Sequence, residues 1–306
     1  MRTTLGKVLR EKDTACEVGG QALIEGVMMR SPYRLAMAVR RPDGTIALEV
    51  RKGVPLSRRN PFFSLPVVRG VVSLVDSLVV GLQALSYSAQ VVLDEESKLS
   101  GFDLSMAILL ALGLFAGLFV ALPTFLTSLV DRFIHSTVVY NLVEGGIRVG
   151  IFLVYLFVVS QVRDIRRVFE YHGAEHKAIF TFEQGEELTP ENAAKFTTRH
   201  PRCGTNWLLI VMVVSIFVFS FLGRPGIVTR IVSRLLVVPL VAGLAYEAIK
   251  FLSRHQSSSV ARVLSLPGLW LQSITTREPD ASQLEVAFAA LRGSLGEETL
   301  PCGEKK

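Results

Sequence analysis

Residues 170–177 read Glu170-Tyr171-His172-Gly173-Ala174-Glu175-His176-Lys177 and hold two of the chain's five histidines. On a helix, residues four apart share one face and lie about 6 Å from each other. His172 and His176 have that spacing, so their imidazoles can reach one metal ion. Glu175 follows His172 by three residues and projects near the same face. The order H-x-x-E-H is the reversed form of the zincin motif. In such a site the histidines hold a divalent metal, and the glutamate takes a proton from the attacking water. The plain alternative is a polar turn of an exposed helix.

A second cluster follows in Thr198-Arg199-His200-Pro201-Arg202-Cys203-Gly204-Thr205-Asn206. His200 and Cys203 stand at H-x-x-C spacing in a turn marked by Pro201 and Gly204, and both are ligand types suited to zinc. Four of the eight histidines and cysteines fall between residues 172 and 203. We expect one shared site there. His172, His176 and either His200 or Cys203 hold a divalent metal, zinc by ligand type. Glu175 serves as general base, and Lys177 or Arg202 steadies developing negative charge. His135 and His255 stand alone and are not read as ligands.

These residues need elements to carry them. Half of the 306 residues are hydrophobic, and long uncharged runs account for it, so the expectation is an integral membrane protein. The fold class expected is mostly α, with about four transmembrane helices and a small cytoplasmic α+β portion containing an N-terminal β-hairpin. The net charge of +6 reads as cytoplasmic flanks of spans, not as a nucleic-acid surface. The bilayer is the expected partner, with anionic lipid head groups a further one for the basic segment 40–59. Cys16, Cys203 and Cys302 are too few and too scattered for a disulfide framework, and no cleavable signal peptide is read at the N-terminus.

In chain order, residues 1–65 are read as a cytoplasmic segment. It holds the glycine-rich stretch 19–32, taken as a lead-in to a sheet with Glu25 as a possible contributor to the site. A hairpin follows over 35–51, turning at Pro42-Asp43-Gly44. Residues 66–100 carry an interfacial or buried helix. Residues 101–162 form a transmembrane hairpin, with spans at 104–126 and 143–162 and with Glu144 and Arg148 as an i,i+4 pair. Residues 163–206 carry the metal-site loop on a helix that leaves the membrane. Residues 207–253 form a second transmembrane hairpin, in which Glu247 is either functional or paired with Lys250. Residues 254–306 are a tail with an amphipathic helix opened by a capping box at Ser282–Glu285. Lysine and arginine crowd residues 30–69, 163–202 and 250–292, which places both termini and the metal-site loop in the cytoplasm.

Four stretches in order resemble the YqhQ-like bacterial membrane proteins. They are 19–30 (GGQALIEGVMMR), 171–177 (YHGAEHK), 200–205 (HPRCGT) and 275–279 (TTREP). The resemblance covers nearly the whole chain. It implies a multi-span protein of the bacterial inner membrane that is regarded as a metal-dependent enzyme of unestablished substrate. The leading expectation is a metal-dependent membrane hydrolase. The rivals are a scaffold or assembly factor clamped by a closed His3Cys zinc site, and a transporter built around Glu247.

Overall fold

The computed structural model describes residues 18–53, 56, 60–93, 101–201, 203–254 and 258–296. It is mostly helical, with one antiparallel sheet. Strands β1 (Gly19–Leu23), β2 (Gly26–Arg30), β3 (Arg34–Arg40) and β4 (Ile46–Lys52) follow one another as a meander. The expected hairpin is β3–β4, where the Thr45 N–H donates to Asp43 Oδ1 at 2.8 Å in the turn. The glycine-rich stretch supplies a second hairpin, β1–β2, closed by Ile24 and Glu25, with Glu25 at φ 51°.

Side chains alternate along strands, and here both faces are covered. Val27, Met29 and Ala38 face α5 (Arg163–Glu183) and α10 (Ala281–Leu295), meeting Tyr171, Ala174, Ala178, Leu284, Ala287 and Leu291. Leu23, Met28, Met37 and Val39 face the other way, onto Val80, Ala84 and Val91 of α1 (Val68–Val92). The result is a helix–sheet–helix head. The amphipathic tail helix therefore docks on the sheet. Its capping box is Asp280–Gln283, two residues earlier than the expected Ser282–Glu285. Ser282 instead donates to Asp280 at 2.6 Å, and Glu285 pairs with Arg40 at 3.0 Å.

Four helices are long and apolar enough to cross a membrane: Val68–Val92, Ser105–Ser128, Thr137–Val159 and Ile227–Leu252. Three of them coincide with runs expected as spans, and Val68–Val92 stands in place of the run expected at 207–222. The second combines α2 (Gly101–Ala116), a π-helical stretch at Gly117–Ala121 and α3 (Leu122–Ser128). The third is α4 (Thr137–Val159), capped by Ser136. A short helix α6 (Pro190–Ala193) is capped by Thr189. The run expected at 207–222 is α7 (Thr205–Ser220), whose 16 residues extend about 24 Å, short of a hydrocarbon core of about 30 Å. The fourth is the greater part of α8 (Ile227–Arg254). In α1 the second half packs on the sheet, while Arg69 in its first turn pairs through both nitrogens with Glu247 of α8. Glu247 thus ties the head to the bundle, with Arg69 as its partner. Helix α9 (Ser259–Thr275) runs through Pro267, which has no N–H to give the helical ladder, and buries Leu271 and Gln272 beyond it.

Candidate metal centre

Helix α5 carries the H-x-x-E-H turn. It starts three residues after α4 ends and is held along its length. Arg167 forms a two-pronged pair with Glu25 at the β1–β2 turn, and Tyr171 O–H donates to the same carboxylate at 3.2 Å. Burial, then Glu25, pushes the Tyr171 hydroxyl's pKa up, so it stays a donor. Glu25 accordingly orients the helix and does not line the metal centre.

The segment after α9 lies across α5. The Arg277 N–H donates to the Phe169 carbonyl at 2.9 Å. A Cβ on Gly173 would sit 1.9 Å from the Arg277 carbonyl oxygen, so only glycine admits this crossing. The crossing brings the Thr275 carbonyl to His172 Nδ1 at 2.8 Å. On the other side, Gln272 bonds both backbone groups of His200, accepting from its N–H at 2.8 Å and donating to its carbonyl at 2.9 Å. This docks the 198–205 turn, and the Thr198 carbonyl meets His176 Nδ1.

Both histidines therefore spend Nδ1–H on a backbone carbonyl and present Nε2 as a lone pair. That is how imidazole ligands are oriented in metal sites. His172 Nε2 lies 3.2 Å from Cys203 Sγ. His176 Nε2 is buried, with no hydrogen bond of good geometry among the described residues. One ligand atom each from His172, His176 and Cys203 falls within 4.8 Å of the others. In a tetrahedral zinc site, bonds of 2.0–2.1 Å to nitrogen and 2.3 Å to sulfur put N and S about 3.5 Å apart, close to the distance observed. Burial pulls the His176 imidazole's pKa down, which keeps it neutral, as a ligand must be. The donor set fits a borderline-soft divalent ion.

His200 stands one layer back. Its ring packs on Phe180 at 4.3 Å and on His176 at 5.8 Å between centroids, and burial holds it neutral with a pKa of about 4. Glu175 is buried beneath Gly20, whose N–H donates to the carboxylate. A Cβ at Gly20 would lie 2.8 Å from Glu175 Cγ. Close backbone approach is thus what the glycine-rich stretch supplies. Burial pushes the Glu175 carboxyl's pKa up, with His172 and His200 pulling the other way. Lys177 is buried but turned aside, 2.8 Å from Glu278, and does not line the cavity. Arg202 and His255 lie outside the described residues. His135 is exposed in the loop before α4.

A cavity of about 320 Å³ opens on this cluster. His172, Glu175, His176, His200 and Cys203 line it, with Val168, Phe169 and Ile179 of α5 and the edge of β1. The carbonyls of Thr198 and Thr275, the Gln272 clamp and the Gly20 N–H are functional groups that spacing did not assign. The TTREP and glycine-rich stretches marked their neighbourhood; Gln272 carries no local signal.

Residues 65–297 match the profile of the family described as "Protein of unknown function (DUF1385)". The chain is also similar to the uncharacterized protein YqhQ of Bacillus subtilis (strain 168). The two are 30% identical over 296 residues, spanning 92% of this chain and 93% of that one. No solved structure matches. The chain belongs to this family.

Proposed function

For this member of the family we propose a zinc-dependent membrane hydrolase. His172, His176 and Cys203 hold the ion and Glu175 acts as general base. The observation that carries the reading is the convergence of the three ligand atoms, with both Nδ1 groups already committed to carbonyls. Three protein ligands beside a cavity leave a position for water or substrate, whereas a structural zinc site closes with four. A zinc ion supplies Lewis acidity toward water and toward a polarised substrate oxygen. Glu175 lines the same cavity and holds or releases a proton at its carboxylate. Gly20 fixes that carboxylate through its N–H, and the apolar wall of Val168, Phe169 and Ile179 limits water.

The head joins the bundle through the end of α4, the start of α7 and the end of α8. With α2–α3, α4 and α8 as spans, α7 crossing where the bilayer thins to its length, and α1 held to the sheet, the metal centre lies on the side from which α2 starts. The arginines and lysines of residues 163–202 make that side cytoplasmic. A cysteine at Gln184 is then shielded from an impermeant thiol reagent in intact cells, and one at Ser136 is labelled. Labelling at Gln184 overturns the orientation.

The test of the enzyme reading is metal content and complementation of a deletion strain, measured side by side. Glu175→Gln retains shape and hydrogen bonding but cannot act as a base. It keeps its zinc and loses function, while Cys203→Ser loses zinc. X-ray absorption shows three protein ligands and one light oxygen. A Glu175→Gln protein that binds zinc and complements fully removes the general base, and with it the hydrolase.

A further inference from the structure

The sheet has two edge strands of different character. β4 carries Glu49, Arg51 and Lys52, charges of the kind that keep an exposed edge from pairing. β1 has no charge and no proline, and opens with two glycines. We propose that the edge of β1 is the substrate groove of the metal centre, and that it takes a peptide in extended form, paired antiparallel to β1 as a fifth strand. This rests on the hydrolase reading and names its substrate class.

The backbone of β1 faces the cavity. Val18, Gly19, Gly20, Gln21 and Ala22 line it without a gap. A strand showing one face would line it with every second residue. Five in a row mean that its edge is turned to the cavity. In an antiparallel ladder, pairs that exchange hydrogen bonds alternate with pairs that do not. Gly20 stands opposite Met29 and Ala22 opposite Val27, and the Gly20 N–H goes to Glu175, away from β2. Gly20 and Ala22 are therefore the residues whose backbone groups point out of the sheet. The Gly20 carbonyl and both backbone groups of Ala22 are bonded by no described residue. Gln21 and Leu23 send their side chains to α1, Gln21 against Gly81 and Leu23 into the cluster around Ala84. With glycine at 19 and 20, no side chain overhangs this end of the edge, and another backbone can approach.

α5 supplies the floor. α10 lies under β2 and β3, and α5 under β1. Val168, His172, Glu175 and Ile179, spaced i, i+4, i+7 and i+11 on α5, line the same cavity as the edge. That stripe is about 16 Å long, and five residues of strand span about 17 Å. A peptide of about five residues laid along β1 thus runs the length of the stripe. Main-chain bonds to Ala22 and Gly20 supply affinity, and alternate side chains meet the floor. Val168 and Ile179 stand at its two ends, so the preferred peptide has apolar residues at alternate positions. His172 and Glu175 stand between them, under the peptide's backbone. In the hydrolase reading the bond cut is an amide of this strand. The oxygen of water joins the carbonyl carbon, the C–N bond breaks, and the proton taken by Glu175 goes to the departing amine.

The experiment reads binding, with the zinc-loaded full chain in zwitterionic lipid nanodiscs. The probe is a fluorescein-labelled heptapeptide alternating valine and threonine, followed by anisotropy against empty nanodiscs. Two isomers carry N-methyl groups on alternate amides, one isomer for each edge of the peptide. Methylation removes the donors of one edge and leaves the other edge able to pair. The unmodified peptide binds, one isomer binds like it, and the other binds about tenfold more weakly, as the loss of one or two hydrogen bonds requires. Ala22→Pro removes an N–H that β2 does not use. It keeps its zinc and weakens the unmodified peptide by a similar factor. Should that variant fail to fold, the two isomers on the wild type decide alone. Anisotropy no higher than with empty nanodiscs, or an affinity that neither methylation changes, overturns the groove and leaves the hydrolase reading to Glu175→Gln. Edge-selective binding beside a Glu175→Gln protein that complements fully keeps the groove and removes only the hydrolase.

Discussion

The head and the bundle each bury a polar cluster, and they satisfy it in opposite ways. In the head, His172 and His176 are oriented by main-chain carbonyls, burial keeps His176 neutral, and what is left over is an acceptor, the lone pair of His176 Nε2. In the bundle, the partners are ionised side chains, and what is left over is chiefly positive charge around Arg148 and Arg234. Surplus acceptors suit a cation, whereas the bundle's arginines are taken up by Glu144 and by neutral oxygens of Phe119, Thr124 and Asn141. The difference shows what separates a cluster open to a ligand from one closed on itself: the atoms its own protein leaves unused beside a cavity.

That contrast can be broken in stages. The largest effect belongs to His176→Ala, which removes one of the three proposed ligands outright. Zinc affinity, read by chelator competition, falls by more than the 10–100-fold typical of losing an orienting partner. Zinc no longer raises the unfolding temperature of the variant. Next is Glu144→Ala in the bundle. Removing one member of a buried pair leaves two arginines uncompensated and costs about 3–5 kcal/mol, measured by unfolding in lipid. Zinc content should stay at the wild-type level, because nothing in the head touches Glu144. A parallel loss of zinc would join the two clusters into one cooperative unit.

A third test uses protons in metal-free protein. Burial lowers the His200 pKa from 6.5 to about 4. The unfolded chain therefore takes up a proton before the folded one does. His200 contributes its full stabilisation above pH ~6.5 and loses it as pH falls toward ~4, about 3 kcal/mol in all. His200→Gln should make the loss of stability across that window shallower, leaving the part that buried His176 contributes. A wild type already flat there would mean that His200 is not buried as described. The smallest effect is Gly173→Ala. Its methyl collides with the Arg277 carbonyl, and forced overpacking of this kind costs about 1–3 kcal/mol. The displaced 275–279 segment also takes the Thr275 carbonyl from His172, so zinc affinity should drop alongside stability. Alanine at Gly113, which has open space around it, is the neutral control.

Much of this was legible in the sequence. The i,i+4 histidines with Glu175 fix a face of α5 from spacing alone, because helical geometry is local. Alternation over 35–51 gave β3 and β4, and the long apolar runs gave most of the spans. Glu144 and Arg148 were readable as a pair for the same local reason. Tertiary structure alone decided which of His200 and Cys203 joins the pair, since both stand on one turn and only its docking by Gln272 sends Cys203 forward and His200 back. It alone placed Thr275 on His172 across 103 residues and Arg234 on Glu144 across 90. It also gave α1, read from sequence as an interfacial or buried helix, its partner, the sheet face that meets Val80, Ala84 and Val91. Period and propensity act over a turn or a strand. Contacts between segments a hundred residues apart depend on how whole elements pack, and no local pattern records that.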